Sequence, residues 1–231
     1  MEFHGINKLT LLDYPEHLAC TLFTGHCNLR CPFCHNASLV LCPENEPEID
    51  TNEILRFLEK RAGTLEGVCV TGGEPTLQPD LLAFLRQCKD LGYLVKLDTN
   101  GTRPEIINKA INDRLVDYIA MDIKNCPARY AETAGLSSVR FSAFEESVRL
   151  IQNSGLPYEF RTTVVRNFHT KEDLLAIGEW LKGSSTYALQ AFENSGSLIG
   201  TGLSGYSAKE LRAFQDLLTP YFDRVLLRGT D

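Results

Sequence analysis

Strand-like and helix-like segments alternate along nearly the whole chain, and this alternation restricts the fold more than any other sequence feature. Such βα units imply a parallel sheet, either a partial barrel or a doubly wound sheet, with functional residues in the loops that follow the strands. The predicted strands cover 17–24, 67–71, 93–99, 116–124, 156–165, 186–192 and 222–228, and the predicted helices cover 49–63, 79–91, 104–113, 141–153, 171–182 and a last segment after Ser207.

Length, charge and hydropathy exclude several classes of protein. We expect the 231 residues to form one domain, 1–231, with a cysteine-rich loop at 25–36 and a C-terminal helix and strand within 207–228. No apolar run is long enough to span a bilayer, and the N-terminus lacks the features of a signal peptide. A net charge of −7 argues against nucleic acid as the main partner. We therefore expect a cytoplasmic enzyme that acts on a small molecule or another protein, with no membrane or nucleic-acid partner.

Three of the eight cysteines, Cys27, Cys31 and Cys34, lie within eight residues at C-x3-C-x2-C spacing. Thiolates this close can hold three corners of a cubane iron–sulfur cluster and leave the fourth iron open. The alternative is a zinc site with His35 as the fourth ligand, although no second C-x2-C pair is present. The remaining cysteines are expected to be ordinary buried or semi-buried thiols: Cys20, Cys42, Cys69, Cys88 and Cys126.

Polar residues follow several other predicted strands. The run Thr71-Gly72-Gly73-Glu74-Pro75 ends one strand, and its glycines permit close backbone approach beside the Glu74 carboxylate. Asp98 ends the next strand, where a helix cap or turn is the simpler interpretation. Alternation places Asp122 and Lys124 on one face of the strand after that, where a surface ion pair is the default.

The two motifs together resemble the radical S-adenosylmethionine (SAM) superfamily. The resemblance rests on the three cysteines, with aromatic Phe33 before the last of them, and on the GGEP run one βα unit later. It implies a partial (β/α)6 barrel of parallel strands, a [4Fe–4S] cluster on the cysteines and SAM bound to the open iron. An electron from the cluster then cleaves SAM, and the resulting 5′-deoxyadenosyl radical abstracts a hydrogen atom. Phe33 would lie near the adenine, and Gly72, Gly73, Glu74 and Pro75 would hold the SAM amino group.

The segments Asp98-Thr99-Asn100-Gly101 and Asp122-Ile123-Lys124 further resemble the activating enzymes of glycyl radical enzymes. That resemblance implies that Asp98 and Asp122 help to bind a small monovalent cation and that Lys124 reaches the SAM carboxylate. It also places two further residues near SAM, Asn36 and Arg161, although pairing with Glu159 is an alternative for Arg161. Members that act on pyruvate formate-lyase contact the SAM ribose with a histidine, and here Gln190 would substitute.

The opening run Lys8-Leu9-Thr10-Leu11-Leu12-Asp13-Tyr14-Pro15 and the late Leu226-Leu227-Arg228-Gly229 resemble one branch, the anaerobic ribonucleoside-triphosphate reductase activating proteins. Membership implies a glycyl radical enzyme as protein substrate and a flavodoxin-like or other low-potential reductant as electron donor. The alternatives are a different glycyl radical enzyme, a small-molecule substrate as in deazapurine carboxylate synthases, and a non-catalytic zinc module.

Overall fold

The computed structural model describes residues 1–230 and contains one eight-stranded sheet whose strand order follows the chain from β1 to β8. The edge strand β1 is antiparallel to β2, and every later pair of neighbours is parallel. The strands are β1 (Phe3–Thr10), β2 (Ala19–Thr24), β3 (Gly67–Gly72), β4 (Leu94–Thr99), β5 (Tyr118–Asp122), β6 (Tyr158–Val164), β7 (Ser184–Ala191) and β8 (Phe222–Arg228).

Helices connect the parallel strands, and their starts follow the capping signals of the sequence. Thr170 and Ser207 each form a reciprocal capping box with the acidic residue three positions later. Asp50 caps a third helix by accepting a hydrogen bond from the Asn52 amide. The helices are α1 (Ala37–Leu41), α2 (Thr51–Arg61), α3 (Leu81–Asp90), α4 (Pro104–Asn112), α5 (Tyr130–Thr133), α6 (Phe141–Gln152), α7 (Lys171–Leu181) and α8 (Ala208–Leu218).

The strand order decides between the two architectures that the sequence allowed. Each of the strands β2–β7 pairs with the next strand in the chain, so right-handed connections place all crossover helices on one face of the sheet. A doubly wound sheet would require a reversal of strand order. Within residues 1–230, β1 and β8 do not pair with each other, so the sheet is an open, partial barrel, as predicted.

The two faces of the sheet differ in polarity. In β4, Val95 and Leu97 are fully buried in the hydrophobic core, whereas Lys96 and Asp98 pair with each other on the opposite face. Glu159, in β6, is also buried and accepts two hydrogen bonds from Arg228, in β8. The concave side of the barrel therefore carries buried charges, and they lead to the carboxyl ends of the strands.

Two features of the fold differ from the sequence-based expectations. The sequence pattern did not predict β1, whose middle residues are half-buried or exposed and whose pattern is therefore only weakly apolar. Cys20, Cys69, Cys88 and Cys126 are buried as expected, but the prediction for Cys42 was wrong because this thiol is exposed after α1. Across residues 1–230, no helix combines the length and apolar character needed to cross a bilayer.

Candidate functional site

The loop after β2 places the three clustered cysteines around one cavity of about 310 Å³. Cys31 is buried, and Cys27 and Cys34 are half-buried. The loop is held by the Arg30 side chain, which donates to the carbonyls of Cys27 (2.5 Å) and Leu29 (2.8 Å). Burial raises the pKa of Cys27 to about 11 and of Cys31 to about 12. These thiols would therefore ionise only beside a strong positive charge, which cluster irons provide.

The donors fit a cluster better than a single zinc ion. Among the described residues, no three His, Cys, Asp or Glu side chains are grouped around one metal position. A cubane does not require such convergence, because each thiolate binds a different iron. His35, the proposed fourth zinc ligand, instead contacts the Glu193 carbonyl through Nε2 at 2.8 Å and stacks on Phe192. The zinc interpretation therefore lacks its fourth ligand in this arrangement.

The glycines after β3 allow the next loop to lie directly against the cysteine loop. The Gly73 amide donates to the Thr24 carbonyl at 2.8 Å, and the Glu74 amide donates to the His26 carbonyl at 2.7 Å. A Cβ atom on Gly73 would lie 1.9 Å from that His26 oxygen, and Gly72 has a φ of +115°. Asn36 completes the junction by donating from Nδ2 to the Gly72 carbonyl at 2.8 Å. Only glycine fits at these two positions.

Glu74 connects this loop to the end of β4. Its carboxylate is buried and accepts hydrogen bonds from the Thr99 hydroxyl at 2.7 Å, the Asn100 amide at 2.6 Å and Thr76. Burial raises the pKa of Glu74, and these donors oppose that rise. Glu74 still lines the cavity, whereas Pro75 does not and instead begins a short 3₁₀ turn. The predicted contact of Glu74 with the SAM amino group stays a prediction.

A chain of alternating charges forms one wall of the cavity. Arg161 donates from Nε to Asp122 at 2.5 Å, and its Nη2 lies 2.9 Å from Asp98. Lys124 pairs with the second oxygen of Asp122 at 3.1 Å, and Lys96 pairs with the second oxygen of Asp98. Sheet register produces this order, since Asp122 lies directly opposite Arg161 in the pairing of β5 with β6.

The structure resolves the alternatives for two of these residues. Arg161 does not pair with Glu159, which is held by Arg228 at 2.8 and 2.6 Å. The Asp122–Lys124 pair is not a surface pair, because both side chains are largely buried and line the cavity. Burial would raise the pKa of Asp122, but Arg161 and Lys124 hold it well below the ordinary carboxyl value. Both ends of this pair therefore stay charged near neutral pH.

The remaining predicted residues also lie at the cavity. Phe33 is buried and packs on Phe168 and His169 with ring centroids 5.9 and 6.3 Å apart. Gln190 is half-buried at the end of β7, opposite Thr163 in β6, and both line the cavity. All predicted site residues except Pro75 thus line one cavity, although their individual roles toward a cofactor stay predictions.

Sequence reasoning missed three residues that organise this site. Asn100 donates to Asn28 at 2.9 Å and lies 3.7 Å from the Cys27 sulfur. His169 is fully buried, and its Nε2 contacts the Lys124 carbonyl at 2.8 Å. The third is Lys96, whose position between Val95 and Leu97 in a buried strand was a signal in the sequence, because lysine is almost never buried unless it is paired.

Replacing Arg161 with methionine is expected to reduce the free energy of unfolding by about 3–5 kcal/mol near neutral pH, because two buried carboxylates lose their shared cation. In the wild type, the pKa of Asp122 is lowered, so the pairing stabilises the fold above the ordinary carboxyl pKa and is lost only as the pH falls through the lowered value. In the variant, burial without the cation raises the carboxyl pKa values. Protonation then relieves the repulsion as the pH is lowered.

The deficit of the Arg161 variant should therefore shrink between about pH 7 and about pH 5. Urea unfolding of wild-type and variant apo-protein at both pH values measures this change. A deficit that stays constant over the range would contradict the assigned pairing.

Comparison with known proteins identifies the family. The model of the radical SAM superfamily matches residues 21–181, well over half of the chain. The chain belongs to the radical SAM superfamily. The matched segment contains the cysteine loop, the GGEP run and the charged strand ends. As a radical SAM protein it is an enzyme, and the family implies a [4Fe–4S] cluster and SAM. The three thiols around one cavity and the close glycine junction fit these groups, whereas a non-catalytic zinc module does not account for membership of an enzyme superfamily.

Several relatives of this radical SAM enzyme are informative. A Methanocaldococcus jannaschii protein, provisionally named a glycyl-radical enzyme activating enzyme, is 31% identical over 97% of this chain and 94% of its own length. The 7-carboxy-7-deazaguanine synthase of Thermoplasma acidophilum is 30% identical over 63% of this chain and 66% of its own length. Streptococcus suis SuiB, solved with S-adenosylmethionine and with the precursor peptide SuiA, aligns over 90% of this chain with TM-scores of 0.67 and 0.70 at 16% identity. This chain spans about half of SuiB, so that likeness shows the fold alone.

Proposed function

We propose that this radical SAM enzyme generates a glycyl radical on a partner protein, and that the partner is an anaerobic ribonucleoside-triphosphate reductase. The observation that carries the proposal is the extent of the similarity to the M. jannaschii activating-enzyme relative, which spans 97% of this chain. That match extends beyond residue 181, where the family model ends, and so includes β7 and α8. The match to the deazaguanine synthase covers only 63% of the chain.

The proposal gives each part of the cavity a separate task. Lys124 and Arg161 provide positive charge for the SAM carboxylate, and Glu74 provides a carboxylate for its amino group. Phe33 packs against the adenine, and Gln190 takes the position of a ribose contact. When bound, the cluster and SAM supply the radical that removes a hydrogen atom from a glycine of the partner.

The proposal includes no separate monovalent cation. Asp98 and Asp122, the two carboxylates expected to bind it, both contact Arg161, at 2.9 and 2.5 Å. The Arg161 guanidinium thus already supplies, at these two carboxylates, the positive charge that a bound cation would provide. The electron comes from a flavodoxin-like or other low-potential reductant.

A direct test uses the whole enzyme, reconstituted anaerobically with iron and sulfide and then reduced. The enzyme is incubated with SAM and the anaerobic ribonucleoside-triphosphate reductase of the same organism, and an electron paramagnetic resonance spectrum is recorded. We expect a glycine-centred doublet that requires SAM. A reductase in which the target glycine is replaced by alanine is the matched control and should give no doublet.

Two other outcomes would change the assignment. A doublet with a different glycyl radical enzyme, and none with the reductase, would keep the activase activity and reject the partner. SAM cleavage without a doublet on any glycyl radical enzyme of the organism would reject the activase activity and favour a small-molecule substrate.

A further inference from the structure

Lys96 is a buried cation outside the cavity. Its side chain is 2% exposed, and its ammonium pairs with Asp98. In the sheet it lies between Cys69 in β3 and Tyr118 in β5, with the nitrogen 3.8 Å from the Cys69 sulfur and 5.8 Å from the Tyr118 ring centroid. Removing an ammonium from water is costly unless pairing with an opposite charge offsets the desolvation cost, so the burial of Lys96 requires a physical reason.

The charge balance of the cavity wall gives that reason. The connected group contains three cations and two carboxylates, so the wall carries one net positive charge. The members of this group are Lys96, Asp98, Arg161, Asp122 and Lys124. Without Lys96 the group would be neutral. Burial would raise the pKa of Asp98, but Arg161 and Lys96 hold it below the ordinary value, so this carboxylate stays charged.

The contacts show where the excess charge is available. The Lys96 ammonium pairs with Oδ1 of Asp98, and Nη2 of Arg161 pairs with Oδ2 of the same carboxylate. Arg161 also uses Nε on Asp122, and its Nη1 makes no hydrogen bond to the described residues. Among the described residues, the Lys124 ammonium makes one hydrogen bond, to Asp122, and Lys124 lines the cavity together with Arg161. The hydrogen-bond donors that remain free belong to Arg161 and Lys124, which line the cavity. The net positive charge of the group is therefore available at the cavity.

We propose that Lys96 is a positioning residue for SAM, because its buried ammonium satisfies Asp98 and leaves Arg161 and Lys124 with a net positive charge for the carboxylate of SAM. Lys96 touches neither the cavity nor the cofactor and acts through Asp98. The inference concerns cofactor affinity, so it does not depend on which molecule receives the radical.

The first test is Lys96→Met in the reconstituted, cluster-loaded enzyme, with SAM binding measured by isothermal titration calorimetry under anaerobic conditions. The wall becomes neutral in this variant, and we expect SAM to bind about tenfold more weakly. The same change should raise KM for SAM and leave the rate of cleavage at saturating SAM close to that of the wild type. SAM affinity within about twofold of the wild type would overturn the proposal.

The second test, Lys96→Met with Asp98→Asn, separates charge from structure. This double variant removes both members of the buried pair, restores the net charge of +1 and keeps an amide oxygen for Arg161. We expect its SAM affinity to return to within about threefold of the wild type. Thermal unfolding of both apo-variants records any loss of stability. A double variant that binds SAM about tenfold more weakly than the wild type would overturn the proposal, even if the single variant does not fold.

Discussion

Replacing Cys31 with alanine is expected to leave the enzyme without its [4Fe–4S] cluster and without detectable SAM cleavage. Cys31 is the most buried of the three thiols around the cavity, and none of the other five cysteines lines it in the described part of the chain. No other cysteine can therefore replace Cys31 as a ligand, and two thiolates cannot retain a cubane that needs three. Iron and acid-labile sulfide after anaerobic reconstitution, together with 5′-deoxyadenosine formation, measure the loss.

Cys42 provides the matched control for this experiment. Its thiol is exposed and lies outside the cavity, so Cys42→Ala should keep both the iron content and the rate of SAM cleavage. A Cys31 variant with near-normal iron and near-normal cleavage would show that Cys31 is not a cluster ligand.

Replacing Gly73 with alanine is expected to separate the GGEP loop from the cysteine loop and so to abolish SAM binding. The added Cβ would lie 1.9 Å from the His26 carbonyl oxygen and 2.7 Å from its carbon. Both are backbone atoms, so no side-chain rotation can relieve the overlap, and one of the two loops must move. We expect a stability loss of about 1–3 kcal/mol and a much larger effect on the cofactors, since cysteine and SAM contacts depend on this junction. Calorimetric titration with SAM and iron analysis measure the effect.

Gly92→Ala is the control for a glycine substitution that leaves the site intact. Gly92 follows α3 with a φ of +87°, and a Cβ there would meet nothing within 4 Å. This variant should lose about 1 kcal/mol of stability from the unfavourable backbone conformation alone. It should keep its iron and its affinity for SAM. If Gly73→Ala also binds SAM like the wild type, the close junction of the two loops is not required for the cofactor.

Local spacing made much of this molecule predictable. The alternation of strands and helices gave the order of the βα units, and the end of each strand located the polar residues of the site. The strand 222–228 was predicted from seven residues and is β8. The edge strand β1 was missed because its middle residues are half-buried or exposed, which leaves a weak apolar pattern.

The sequence by itself located the clustered cysteines and the paired glycines, because each group lies within a few positions of the chain. The tertiary structure alone decided how the charges pair. Arg161 bonds to Asp98 and Asp122 rather than to nearby Glu159, and Lys96 completes the set from inside β4. These partners lie on three strands separated by long connections, and the register of the parallel sheet brings them together. No local pattern encodes that register, so the electrostatic balance of the site becomes visible only in the folded protein.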